Sequence, residues 1–101
     1  MVGREAIKTI NAQNLWTDAI SPFLSNTEYC LLNISIVCGG TWSGTITLQR
    51  AFDQGADWRD VETYTDSEED QIVDSESGIY YRIGCKTGDY TAGTATVRLS
   101  K

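Results

Sequence analysis

Apolar and polar positions alternate with period two along much of this chain, most clearly over residues 28–38. There Cys30, Leu32, Ile34, Ile36 and Cys38 face one way, while Asn33 and Ser35 face the other. Successive side chains of an extended backbone point to opposite sides, so this pattern predicts a strand with one buried face. Gly39-Gly40 ends the run, and alternation resumes over residues 44–52. Here Ile46, Leu48 and Phe52 form the inner set and Thr45, Thr47 and Gln49 the outer one. Threonine suits that outer face because its branched β-carbon fits a pleated surface. Two later runs behave alike: residues 79–85 turn Ile79, Tyr81, Ile83 and Cys85 inward, and residues 94–99 turn Ala95, Val97 and Leu99 inward. The glycines of the intervening segment 86–93 predict a hairpin between them. Residues 58–65 and 70–74 predict two more strands, separated by an acidic loop at 66–70.

The first 27 residues carry less pattern. Residues 6–12 predict an edge strand or an arm. Leu15, Trp16, Ala19 and Ile20 have the spacing of a single helical turn stopped by Ser21-Pro22, with Trp16 directed to the core. The expected architecture is all-β: one domain over residues 1–101, with 1–14 as an N-terminal arm or edge strand. About six to eight short antiparallel strands at close spacing predict a β-sandwich or a jelly-roll-like barrel.

Composition narrows the function. Fourteen acidic residues against eight basic ones give a net charge of −6, the wrong sign for a phosphate backbone, so no nucleic-acid partner is expected. Ten of the acids lie between Asp53 and Glu76, with Arg59 the one base among them, and read as solvated loop and strand edge. A run of about 18 apolar residues would be needed to span a membrane as a helix, and none is present, so no membrane partner is expected. The opening residues lack the apolar stretch of a secretory signal. Cys30, Cys38 and Cys85 are an odd set. Cys30 and Cys38, eight positions apart on one predicted strand, would stand about 26 Å apart, beyond disulfide reach. Three buried, reduced thiols made in a reducing cytoplasm are the expectation.

Candidate chemistry is sparse. The chain has no histidine, which removes the commonest general base near neutral pH and every histidine-based nucleophilic triad. Lys8, Lys86 and Lys101 read as exposed or terminal, which leaves no natural partner for a serine nucleophile. Gly39-Gly40 and Gly44 lack the lysine and following helix of a phosphate loop, and no CxxC spacing offers a zinc site. Paired carboxylates alone do not make a glycosidase in a domain with little room for a cleft. Asp66, Glu68 and Asp70 alternate like the first ligands of a calcium loop, but Gln71 stands where the sharp turn needs glycine. No enzyme, cofactor, metal site or catalytic residue is therefore expected.

Residues 51–58, Ala-Phe-Asp-Gln-Gly-Ala-Asp-Trp, resemble the Asp-box of sialidases and other β-proteins, with Asp53, Gly55 and Trp58 matching and Ala51 and Asp57 departing from its serine and threonine. The likeness implies a structural hairpin joining strands 44–52 and 58–65, with Asp53 accepting backbone N–H bonds, Gly55 supplying a positive φ and Trp58 packing back over the turn. In those families the box lies away from the active site, so no sialidase activity is implied. Trp42, Tyr64, Tyr80 and Tyr90 remain as possible interface aromatics.

On a wider scale, Gly40-Thr41-Trp42-Ser43-Gly44-Thr45-Ile46-Thr47-Leu48-Gln49-Arg50-Ala51-Phe52-Asp53 is similar to stretches of small β-domain proteins encoded in the structural-gene regions of tailed bacteriophages and prophages. So are Tyr80-Tyr81-Arg82-Ile83-Gly84-Cys85-Lys86-Thr87-Gly88-Asp89-Tyr90 and Gly93-Thr94-Ala95-Thr96-Val97-Arg98-Leu99. The resemblance covers residues 41–101, and more loosely 14–18, and carries no catalytic residue. It implies a virion structural protein made in the bacterial host cytoplasm. A capsid decoration (cement) protein bound to the major capsid protein, often as a homo-trimer, is the first expectation. A tail or fibre component is the second. Outside that resemblance, a carbohydrate-binding β-sandwich module is the rival, and it requires an exposed aromatic row including Trp42 or Tyr90.

Overall fold

The computed structural model describes residues 5–20, 31–52, 57–73 and 79–100. Ten strands are present among them: β1 (Glu5–Ile10), β2 (Leu15–Trp16), β3 (Leu31–Cys38), β4 (Ser43–Gly44), β5 (Ile46–Ala51), β6 (Arg59–Tyr64), β7 (Glu68–Val73), β8 (Tyr80–Cys85), β9 (Tyr90–Ala92) and β10 (Ala95–Ser100). They form a four-stranded sheet in the order β1-β10-β3-β7, a second in the order β2-β8-β5-β6, and a two-stranded ribbon, β4-β9. Every pairing is antiparallel, so the fold is all-β, with no helix among the described residues and no closed barrel.

Alternation read from the sequence carries over into burial. In the first sheet Leu32, Ile34 and Ile36 of β3 and Ala95, Val97 and Leu99 of β10 are buried, paired across the strands as Ile34 with Leu99 and Ile36 with Val97. In the second sheet Ile46 and Leu48 meet Tyr64, Tyr81, Ile83 and Cys85, and both sets belong to one apolar cluster. Each large aliphatic side chain removed from water there contributes about 1.5–3 kcal/mol before entropy is counted.

Five expectations are corrected. Leu15, Trp16 and Ile20 do not form a helical turn. Leu15 and Trp16 pair with β8, Thr17 N–H donates to the Ile83 carbonyl at 2.9 Å, and Ile20 and Tyr81 exchange two backbone bonds. The segment therefore runs as an irregular edge strand, because β8 offers it a row of unpaired backbone groups. Segment 86–93 is not a hairpin between β8 and β10, since those strands belong to different sheets; the connection instead adds β9 to β4. The left-handed φ of +86° at Gly93, where a β-carbon would stand 2.6 Å from the Thr41 carbonyl oxygen, fixes that close crossing. The acidic stretch is not a loop throughout, because Glu68, Glu69 and Asp70 open β7 against Ile36, Ser35 and Ile34. Phe52 follows the end of β5 and is 61% exposed. Finally, Cys38, at the end of β3, is half-exposed, whereas Cys85 is buried; both are free thiols, raised above the ordinary thiol range mainly by burial. Cys30 lies outside the described residues.

Consecutive strands link the sheets at their rims. β1 and β2 are edge strands of the two sheets on one side, and β6 and β7 are the edges on the other. All four are poor templates for further pairing. β1 turns Lys8, opposite Val97, toward the inner face between Ala6 and Ile10. β7 turns Asp70 toward the inner face opposite Ile34, while Glu68, opposite Ile36 at the start of the strand, stays exposed. β2 has two residues, and β6 carries Arg59, Asp60 and Glu62 beside a register shift at Leu48 and Gln49. Short, bulged or inward-charged edges oppose edge-to-edge aggregation.

Candidate functional site

The outer face of the second sheet gathers the molecule's most organised polar and aromatic surface. Along β8 the buried Tyr81, Ile83 and Cys85 alternate with Tyr80, Arg82 and Gly84. Across from the latter set, β5 places Ala51 opposite Tyr80, Gln49 opposite Arg82 and Thr47 opposite Gly84. Thr47 is 1% and Gln49 6% exposed although they point away from the main core. β5 is thus covered on both faces.

Three side chains gather on this face beside β5: Trp16, Arg82 and Trp58. A β-carbon on Gly84 would stand 2.1 Å from the Leu15 carbonyl oxygen and 2.9 Å from a ring carbon of Trp16, so only glycine lets β2 and its tryptophan lie this close. The Arg82 guanidinium carbon sits 4.1 Å from the Trp16 ring centre and 4.6 Å from that of Trp58, within the range where ring quadrupoles attract a cation. Trp16 and Trp58 are each half-buried. Trp16 therefore covers the outer face and does not enter the main core as its apolar neighbours had implied.

A hydrogen-bonded chain fixes the floor. Arg82 Nε donates to Gln49 Oε1 at 2.9 Å, Gln49 Nε2 donates to Asp60 Oδ1 at 2.8 Å, and Lys86 Nζ reaches Asp60 Oδ2 at 2.8 Å. Lys86, and secondarily Gln49, hold the Asp60 carboxyl below its usual range, and Asp60 in turn holds the Lys86 ammonium up. Burial lowers the Arg82 pKa, yet a guanidinium stays charged at any physiological pH. Among the described residues no carboxylate lies within ion-pair distance of Arg82, whereas Arg59, Lys86 and Arg98 pair with Asp57, Asp60 and Glu5. The arrangement is a fixed cation between two indoles, suited to receive an anionic group.

A groove of about 620 Å³ crosses the outer face of the first sheet. Its side chains satisfy one another: Ser35 Oγ donates to Glu69, Gln71 Nε2 donates to Asn33 Oδ1 at 2.9 Å, and Arg98 pairs with Glu5. Such a surface is largely hydrogen-bonded within itself, and the exposed Glu69, which no ion pair among the described residues involves, is its one uncompensated carboxylate at the rim. No group of three or more metal-ligating side chains occurs among the described residues; Glu68 and Asp70 lie along an extended strand, which spreads the carboxylates whose spacing imitated a calcium loop.

The residues singled out from sequence fall in several places. Asp53 and Gly55 lie outside the described residues. The strands they were expected to join, β5 and β6, do pair antiparallel, but Trp58 reaches Arg82 on β8, two strands away. Trp42 and Tyr90 pack on each other on the β4-β9 ribbon, with ring centres 5.9 Å apart and planes tilted 59°. Both also rest against the core cluster. The indole N–H of Trp42 is buried with no hydrogen-bond partner, and Tyr90 OH donates to the Gly93 carbonyl at 2.9 Å. Tyr64 is buried, its hydroxyl donating to Asp70 Oδ2 at 3.0 Å. Tyr80 is half-buried at the start of β8. Arg82 escaped the sequence reading because an outward arginine on an amphipathic strand is unremarkable until strand order sets Trp16 and Trp58 beside it.

No protein-family model, curated protein or solved structure matches this chain.

Proposed function

We propose that this chain is a non-enzymatic structural protein of a tailed-phage particle, a capsid decoration protein that binds and stabilises the mature shell. The two four-stranded sheets, which contribute to one buried cluster, are read as the layers of a sandwich. Likeness over residues 41–101 to small proteins of phage structural-gene regions supports the reading, and that span takes in β4 to β10. The observation that carries it from the structural side is the pairing of guarded edges with one preorganised face. A subunit that must stay soluble until it docks needs edges that do not recruit other strands. Its docking energy, gained against the shell and against neighbouring subunits on it, then draws on a compact group of aromatic and arginine side chains, the residue types that dominate binding hot spots. Trp16, Arg82 and Trp58 supply such a group on the second sheet.

The deciding experiment is co-sedimentation of the purified protein with mature and with precursor shells of the phage that encodes it. Saturable binding to mature shells, with little to precursors, is the expected result. Binding to isolated tails but not to heads would move the protein to a tail or fibre position. Absence of binding to any particle would end the virion reading.

A further inference from the structure

We propose that Arg82, held between Trp16 and Trp58, receives a carboxylate from the acidic edge strand β7 of a second copy, so that the chain self-associates head to tail. The proposal rests on the assembly reading above and names its surfaces. Arg82 is a half-buried cation whose Nε is committed to Gln49 and which has no carboxylate partner among the described residues. Removing a charge from water without a partner is costly, and an incoming carboxylate both compensates it and gains from the fixed geometry. Lys86, at the far end of the same hydrogen-bonded chain, is already paired with Asp60, which leaves Arg82 as the uncompensated cation of the group.

The complementary surface lies on the other sheet. Asp66, Glu68 and Glu69 are exposed where β6 passes into β7, and no ion pair among the described residues involves them. Arg82 is on the outer face of one sheet and these carboxylates on the rim of the other, so one molecule cannot bring them together. Two copies can. A contact between two different patches is heterologous and closes into a ring where the rotation permits, consistent with the trimer the phage resemblance implies.

The test is a charge swap read by light scattering after size exclusion, with near-UV circular dichroism as the check of fold. Wild-type protein is expected as a multiple of the chain mass in low salt, with association weakened tenfold or more in about 0.5 M salt. Arg82→Glu alone and Glu68→Arg/Glu69→Arg alone should each be monomeric. Their equimolar mixture should associate again, since each variant then supplies the charge the other has reversed. If Arg82→Glu loses its fold, the exposed double variant carries the test with the salt series. A monomeric wild type, an oligomer indifferent to the double substitution, or a mixture of folded variants that stays monomeric overturns the contact. Shell binding is measured separately: shells that bind a wild type shown to lack this contact keep the decoration reading, and self-association without shell binding keeps the contact alone.

Discussion

At the scale of single residues, the structure turns on positions where one atom more or less decides a contact. Gly84 is the sharpest. A methyl group there would overlap the Leu15 carbonyl and press on the Trp16 ring, and the blocking atom is backbone that cannot swing away. Gly84→Ala is expected to push β2 off β8, destabilise the fold by about 1–3 kcal/mol, and shift tryptophan fluorescence as Trp16 leaves Arg82. A urea midpoint equal to wild type would show that β2 adapts without loss. Tyr64 makes a different point. Burial, reinforced by the carboxylate of Asp70 that accepts its hydrogen bond, holds its hydroxyl pKa well above the ordinary tyrosine value. The neutral phenol is thus favoured more in the folded chain than in the unfolded one. Its stabilisation is complete below about pH 10 and is lost as pH rises from there toward the folded-state value. Tyr64→Phe should cost about 1 kcal/mol at pH 7 and flatten the decline of stability above pH 10, read from thermal unfolding at stepped pH. Asp53 and Gly55 were conspicuous in the sequence because they belong to a short motif. Arg82 was not, because the two indoles around it come from residues 42 apart in the chain.

At the scale of elements, period-two alternation placed β3, β5, β8 and β10 and most of their core-facing residues, since one side of each packs into the shared apolar cluster. It could not report sheet membership. β8 and β10 look like hairpin partners across a glycine-bearing connection, yet they lie in different sheets because β9 is taken up by β4 between them. The misread segment at 15–20 has a related cause. Four apolar residues in six positions fit a helical turn or an irregular strand equally well, and the backbone bonds of β8 at Ile83 and Tyr81 settle the matter. β5 hid its second buried face because Thr47 and Gln49 are polar; the strand beside them carries Gly84 and Arg82, over which distant elements bring Trp16 and Trp58. Edge strands lend themselves to a direct test. Lys8 points inward on β1 opposite the buried Val97, a placement whose cost is repaid by keeping the edge from pairing with another chain. Lys8→Val should leave the thermal midpoint unchanged or raised while increasing turbidity and thioflavin signal on prolonged incubation. Equal aggregation of the two proteins would remove Lys8 from the guarding role.

At the scale of the whole molecule, the charge of −6 and the guarded edges both oppose indiscriminate association. The subunit's proposed work on a shell is thermodynamic. A protein that binds only the mature lattice stabilises that lattice by RT ln(1 + [L]/Kd) per site, about 2.7 kcal/mol at a hundredfold excess over Kd. Two consequences follow from the logarithm. Below Kd, added protein should change the disruption temperature of mature shells little. Well above Kd, each tenfold increase in free protein should add a constant further increment, about 1.4 kcal/mol per site, long after occupancy has saturated. Differential scanning calorimetry of mature shells over three decades of protein concentration reads this directly, with precursor shells as the reference. A rise that stops at saturation would point to a kinetic clamp that slows disruption without shifting the equilibrium. An equal rise in precursor shells would mean the subunit does not discriminate between lattice states, and stabilisation of the mature form could then not be its role.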